Sequence, residues 1–207
     1  PYNPKLYKLL GALYFRLNRF GDSLNAYTNA LKYAPADPEI FYAQGMVHLR
    51  TQNPQEAFNL LKKAVEFSPN MVNAHFGLGE AYEALGQNED ALFEYKKCLE
   101  LNPNLSQAKE KIHELSSKVG YSYFSKGTSY YQQGEFEKAQ ALLALAKKYG
   151  SLNRDQLQQA EEMLTSANYW IGKKRAEEKE KSERQEISQS SYVNKNISVE
   201  DVVRNPQ

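Results

Sequence analysis

From Val72 to Leu101 apolar and small residues return every three or four positions, the spacing of one helical face, and the run is broken at only one place. The pattern predicts a helix from about Val72 to Ala84 and a second from about Asn88 to Leu101. Between them lies Leu-Gly-Gln-Asn, where Gly86 permits a left-handed helix end and Asn88 can start the next helix. Asn-Pro-Asn at 102–104 closes the pair, because Pro103 cannot extend the hydrogen-bond ladder. The same punctuation returns in "NRFGDS", "TQNPQE" and "QQGEFE", so the predicted unit is a helical hairpin that repeats.

The repeat has a fixed step. Pro35, Pro69 and Pro103 are 34 residues apart, as are Gly11, Gly45 and Gly79. Ser23, Ala57 and Ala91 keep the step, as do Ala30, Ala64 and Cys98, and the ring-bearing Tyr14, His48 and Tyr82. Two antiparallel helices approach closely only where side chains are small, so Gly79 and Ala91 let the backbones touch while Tyr82 and Tyr95 fill the flanking grooves. On these columns the chain resembles the tetratricopeptide repeat (TPR) family. "YKLLGALYFRLNRFGDSLNAYTNALKYAP" carries its pattern of aromatic, Leu-Gly, aromatic, Ala, aromatic, Ala and Pro, and two later segments repeat it. The departures are Gln44 for Leu, Leu61 for an aromatic and Cys98 for Ala. The resemblance covers residues 4–105 and implies an all-α, right-handed superhelical solenoid of antiparallel helix pairs, with repeats at 4–37, 38–71 and 72–105.

Beyond residue 105 the Gly and paired-Ala columns stop. Ala108, Ile112 and Leu115 predict a capping helix over 106–119, as terminal repeats need for solubility. Gly127, Tyr130, Ala139 and Ala146 then resume the columns after an insertion, predicting a degenerate fourth hairpin over 120–152. Leu157, Ala160, Leu164, Ala167 and Ile171 form the apolar stripe of a long C-terminal helix over 153–187, whose end is rich in charge. Residues 188–207 read as an extended polar tail, disordered if free. Within it Ile197, Val199, Val202 and Val203, beside a Ser198–Asp201 capping-box spacing, are expected to dock on a neighbouring surface.

Charge and chemistry narrow the function classes. Lys and Arg number 26 against 25 Asp and Glu, so the basic surplus of a nucleic-acid binder is missing. A single cysteine forms no internal disulfide, and no apolar run nears the length of a membrane span. A cytoplasmic location is expected, with a periplasmic or membrane-anchored longer form left open. His48 and His75 occupy ring columns and Cys98 a small buried one, which favours packing over catalysis. Phosphate-loop, metalloprotease and zinc spacings are absent, so no enzyme activity, metal or cofactor is expected. Gly79 falls inside the predicted 72–84 helix and Gly86 in the inter-helix turn, with no strand before them, which excludes a phosphate cradle.

What the TPR resemblance implies is recognition. First helices of successive repeats line a concave groove, and its facing positions here are Lys8 and Arg16, then Tyr42, Met46 and Arg50, then Asn73, Phe76, Glu80 and Glu83. Gly77 is expected to leave room in the groove floor beside Phe76. TPR receptors for the acidic C-terminal peptide of heat-shock chaperones use a carboxylate clamp of Lys, Asn, Asn, Lys and Arg. The matching positions are Lys8, Ala12, Ala43, Asn73 and Gly77, of which only Lys8 fits, so that function is not expected. The reading is a non-catalytic adaptor for protein or peptide partners, within a multi-protein complex. Its rivals are a structural subunit and a regulatory module of an enzyme lying outside this sequence.

Overall fold

The computed structural model describes residues 3–150 and 152–204, with side chains as far as residue 189. The described residues are all-α: α1 (Pro4–Arg16), α2 (Phe20–Leu31), α3 (Pro38–Arg50), α4 (Pro54–Phe67), α5 (Val72–Ala84), α6 (Asn88–Leu101), α7 (Ser106–Gln132), α8 (Phe136–Tyr149) and α9 (Arg154–Arg204). The chain divides into two compact units, Pro1–Val119 and Gly120–Gln207.

In the first unit α1 pairs with α2, α3 with α4 and α5 with α6, and α3 and α5 stack on the hairpins before them. The glycine column explains the pairing. A Cβ on Gly11 would lie 2.6 Å from the Tyr27 ring, one on Gly45 2.6 Å from Leu61 Cγ, and one on Gly79 2.7 Å from the Tyr95 ring. Each missing side chain is therefore filled by the large residue of the partner helix. Ser23 replaces alanine in the facing column, and its buried hydroxyl donates to the Gly11 carbonyl at 2.8 Å.

The inter-helix turns also keep the 34-residue step. Asn18, Gln52 and Gly86 have φ of 58°, 59° and 77°. The following N–H groups reach back to the carbonyls of Tyr14, His48 and Tyr82, each at 2.9 Å, closing the left-handed helix ends. Gln52 is the strained member, since a side chain in this region costs about 1–2 kcal/mol. Gln52→Gly is expected to raise stability by about 1 kcal/mol, read as a higher urea midpoint at unchanged slope.

The second unit repeats the grammar. A Cβ on Gly127 would meet Leu143 Cγ at 2.8 Å, and Gly134 takes φ 77°. Phe124, Ala139, Leu143, Ala146, Ala160 and Met163 form its core. Three expectations need correction here. The turn between a capping helix and a fourth hairpin is absent, because α7 is one helix from Ser106 to Gln132. No Pro or Asn interrupts that stretch, and Gly120 alone costs only about 1 kcal/mol in a helix. The stripe of α9 turns through Met163 at 8% exposure, leaving Leu157 exposed at 38%. The expected extended tail is instead helical through Arg204, since no Gly or Pro occurs from Lys173 to Asn205 to end it. The side chains of Ile197, Val199, Val202 and Val203, proposed for docking, lie outside the described residues.

Candidate functional site

The predicted groove residues come from α1, α3 and α5, which present one side chain every three or four positions to a common face. At the α1 end the charge of Lys8 is already used. Lys8 Nζ lies 3.0 Å from Asp37 and also pairs with Glu39, both at the start of α3. Burial opposes its charge, but the hydrogen bonds it donates to Glu39 and Asp37 outweigh it and hold the lysine above its ordinary range. Arg16 is exposed, and Arg50 reaches from α3 to lie 5.9 Å over the ring of Phe15.

The middle of the face is packed rather than open. Tyr42 and Met46 are half-buried against the core of Ala57, Leu61, Leu78 and Ala81. The Tyr42 hydroxyl is pushed up by burial and then by the charge of Glu80. Gly77 corrects the expected vacancy in the groove floor. It is buried, and a Cβ there would stand 2.9 Å from Leu61 Cδ2 and 3.2 Å from Met46 Sδ. The space over Gly77 is therefore taken by α4 and α3, and the missing side chain lets repeats stack.

The open part lies where α5 meets the start of α7. Phe76, Glu80, Gln107, Glu110, Lys111 and Glu114 line a hollow of about 290 Å³. The Phe76 ring forms one wall and packs at 5.2 Å from that of Tyr95. Glu83 accepts from Lys111 at 3.0 Å and from the Tyr95 hydroxyl at 3.1 Å. Glu80 receives no hydrogen bond or ion pair among the described residues, and its carboxyl is held above its ordinary range. Burial is the main cause; Lys111 works against it and Glu83 with it. Asn73 stands exposed one turn before Phe76.

The wall contributed by α7 is missing from the sequence-based groove, although the signal was there. Adding the 34-residue step to Asn73, Phe76 and Glu80 lands on Gln107, Glu110 and Glu114. Ala108 and Leu115, the counterparts of buried Ala74 and Ala81, are themselves buried at 0% and 1%. The first part of α7 thus continues the array's first-helix positions after the Gly and Ala columns have ended.

Behind this face His75 and Glu94 join α5 to α6. His75 Nδ1 lies 2.6 Å from Glu94 Oε2 and Nε2 2.8 Å from the Pro69 carbonyl oxygen. A carboxylate and a carbonyl both accept, an arrangement that favours the charged imidazole with both ring nitrogens donating. Burial pushes the neighbouring Cys98 thiol up to about 12, aided by Glu94, which makes it inert at neutral pH. Among the described residues no group of three His, Cys, Asp or Glu is arranged to hold a metal, and no helix is long and apolar enough to cross a membrane.

Two family models, both described as tetratricopeptide repeat, match residues 9–72 and 48–112. The chain belongs to the tetratricopeptide repeat family. Solved TPR structures share its fold. The first TPR of Spaghetti (RPAP3), bound to HSP90 peptide SRMEEVD, is 23% identical over 56% of this chain and 92% of its own, with a TM-score of 0.55. The TPR2B domain of yeast Sti1, in a pHsp70 complex, is 21% identical over 56% and 97%, with a TM-score of 0.53. MamA is 20% identical over 72% of this chain and 80% of its own, with a TM-score of 0.50. No curated protein sequence matches the chain.

Proposed function

We propose that this TPR protein is a non-catalytic interaction adaptor that takes a peptide or helix segment of a protein partner along the face of α3, α5 and the start of α7. The observation that carries the reading is the hollow beside Phe76, with one aromatic wall and the unpartnered Glu80 carboxylate. An apolar side chain entering beside Phe76 gains up to roughly 1.5–3 kcal/mol. A lysine or arginine next to it meets Glu80, Glu110 and Glu114, with Lys111 as the one opposing charge lining the hollow. Tyr42, Met46 and Arg50 extend the same face toward α1.

Two of the TPR neighbours carry HSP90 or pHsp70 partners in their structures, so the comparisons do not support excluding an acidic chaperone peptide. What speaks against one is local. Lys8 is committed to Asp37 and Glu39, while Ala12, Ala43 and Gly77 offer no side-chain donor. The test is selection from a displayed random-peptide library, followed by calorimetry. The expected winners pair Leu, Phe or Met with Lys or Arg, bind at micromolar strength, and lose about tenfold on Phe76→Ala. SRMEEVD is expected to show no measurable heat. Winners that bind the Phe76→Ala and Glu80→Gln variants as well as the unaltered chain would remove the site, and micromolar binding of SRMEEVD would replace the basic-ligand reading.

A further inference from the structure

The largest unpartnered apolar face of the first unit is not in the groove. On α1, Leu6, Leu9, Leu10 and Leu13 share one helical stripe that Leu17 continues at the C-cap, with exposures of 59%, 69%, 37%, 51% and 58%. Scattered exposed leucines are ordinary, but four on one face of one helix with a fifth at its C-cap form a contiguous patch of the kind that marks an interface.

The repeat itself shows what covers such a face. One step on, Leu6, Leu10 and Leu13 become Ile40, Gln44 and Val47, exposed by 0%, 7% and 0%. Two steps on they become Ala74, Leu78 and Ala81, at 0%, 4% and 0%. Those positions are buried by the second helix of the preceding hairpin: Tyr27 and Ala30 of α2 pack with Ile40 and Val47, and Leu61 of α4 with Leu78 and Ala81. On α1 the same surface is present and larger, and among the described residues nothing occupies it.

We propose that the leucine face of α1 is a stacking site for one further helical hairpin of the same repeat class, whose second helix seats on it as α2 seats on α3 and α4 on α5. Two features define that helix. Leu9 stands where the later repeats carry Ala43 and Gly77, and Leu61 reaches over Gly77 into the space this leaves. The incoming helix therefore carries a small residue opposite Leu9, in the place of Tyr27 or Leu61. Its flanks are acidic, because α1 exposes Lys5 and Arg16 and bears no Asp or Glu, Lys8 being held by Asp37 and Glu39. That charge also disfavours a second copy docking through its own α1, which would set like charges against each other.

The test grafts a hairpin in register. A copy of residues 38–71 replaces residues 1–3 of the full chain, once unaltered and once with the substitution Leu61→Ala made in the copy alone. The grafted chain with the alanine is expected to have a higher urea midpoint than the parent, and higher than the graft with leucine. The gain should vanish when Leu6→Gln and Leu13→Gln are added to the recipient α1. A graft that leaves the midpoint unchanged, or a gain that survives those two substitutions, overturns the proposal. Sedimentation of the ungrafted chain tests the rival occupant: a monomer is expected, whereas a dimer dissociated by Leu13→Glu would assign the face to a second copy.

Discussion

Replacing Glu94 with leucine is expected to cost the fold about 3–5 kcal/mol in mildly acid solution, because it strands a buried imidazolium. The side chains of His75 and Glu94 are only 9% and 11% exposed, and among the described residues the carboxylate is the one ionic partner the ring has. The hydrogen bond that Glu94 accepts from the ring is the main reason that the folded-state pKa of His75 is raised; burial opposes it, and the Pro69 carbonyl adds to it. The sign of the pH dependence follows. A raised folded-state pKa means that the stabilisation is full below the unfolded value of about 6.5 and is lost as pH rises through the folded value. The urea midpoint of the unaltered chain should therefore fall across that window. In Glu94→Leu the ring is buried without its carboxylate, its folded pKa drops, and the slope reverses, so the loss is greatest at low pH. Glu94→Gln keeps a neutral acceptor and should lie between. A Glu94→Leu variant with the parental slope would mean that the pair carries no charge in the folded state.

Leu61→Ala is the second large effect, expected at about 2–5 kcal/mol. Leu61 is fully buried and fills the missing side chains of two helices at once, Gly45 in its own hairpin and Gly77 in the next. The loss should be partly recovered by Gly77→Ala, which puts a methyl group into the space that Leu61 vacates. In the unaltered chain the same methyl is crowded by Leu61 and Met46, so the two substitutions should be strongly non-additive. Urea denaturation of the double-mutant cycle measures this; additive effects would show that Leu61 does not wedge α3 against α5. Because α3 and α5 carry Tyr42, Met46, Phe76 and Glu80, loosening that wedge is also expected to weaken any ligand of the groove.

The same residues show where sequence reasoning reached and where it stopped. The step of 34 residues placed the helix pairs, the close-contact glycines and the turns, because each depends on local backbone chemistry or on a contact between fixed columns. At α7 the step continues on the buried face alone. The loss of the Gly and Ala columns there looked like the end of the array, although Ala108 and Leu115 kept their places on the buried face. From Lys173 to Asn205 the polar composition points to a disordered tail, but no Gly or Pro stands there to stop the helix, and the helix runs on through Arg204.

What the chain determines by itself is periodic: repeat length, helix ends, small against large columns, and hence membership of the TPR family. What only the tertiary structure decided is which of those positions remain available. Lys8 points at a groove in sequence but is held by Asp37 and Glu39, and Gly77 marks a gap in sequence but is filled by Leu61 and Met46. Phe76 and Glu80 face an open hollow only because α7 supplies the opposite wall. Periodicity assigns a residue to a face through the geometry of one helix, whereas occupancy depends on side chains from other helices, which the one-helix pattern does not contain.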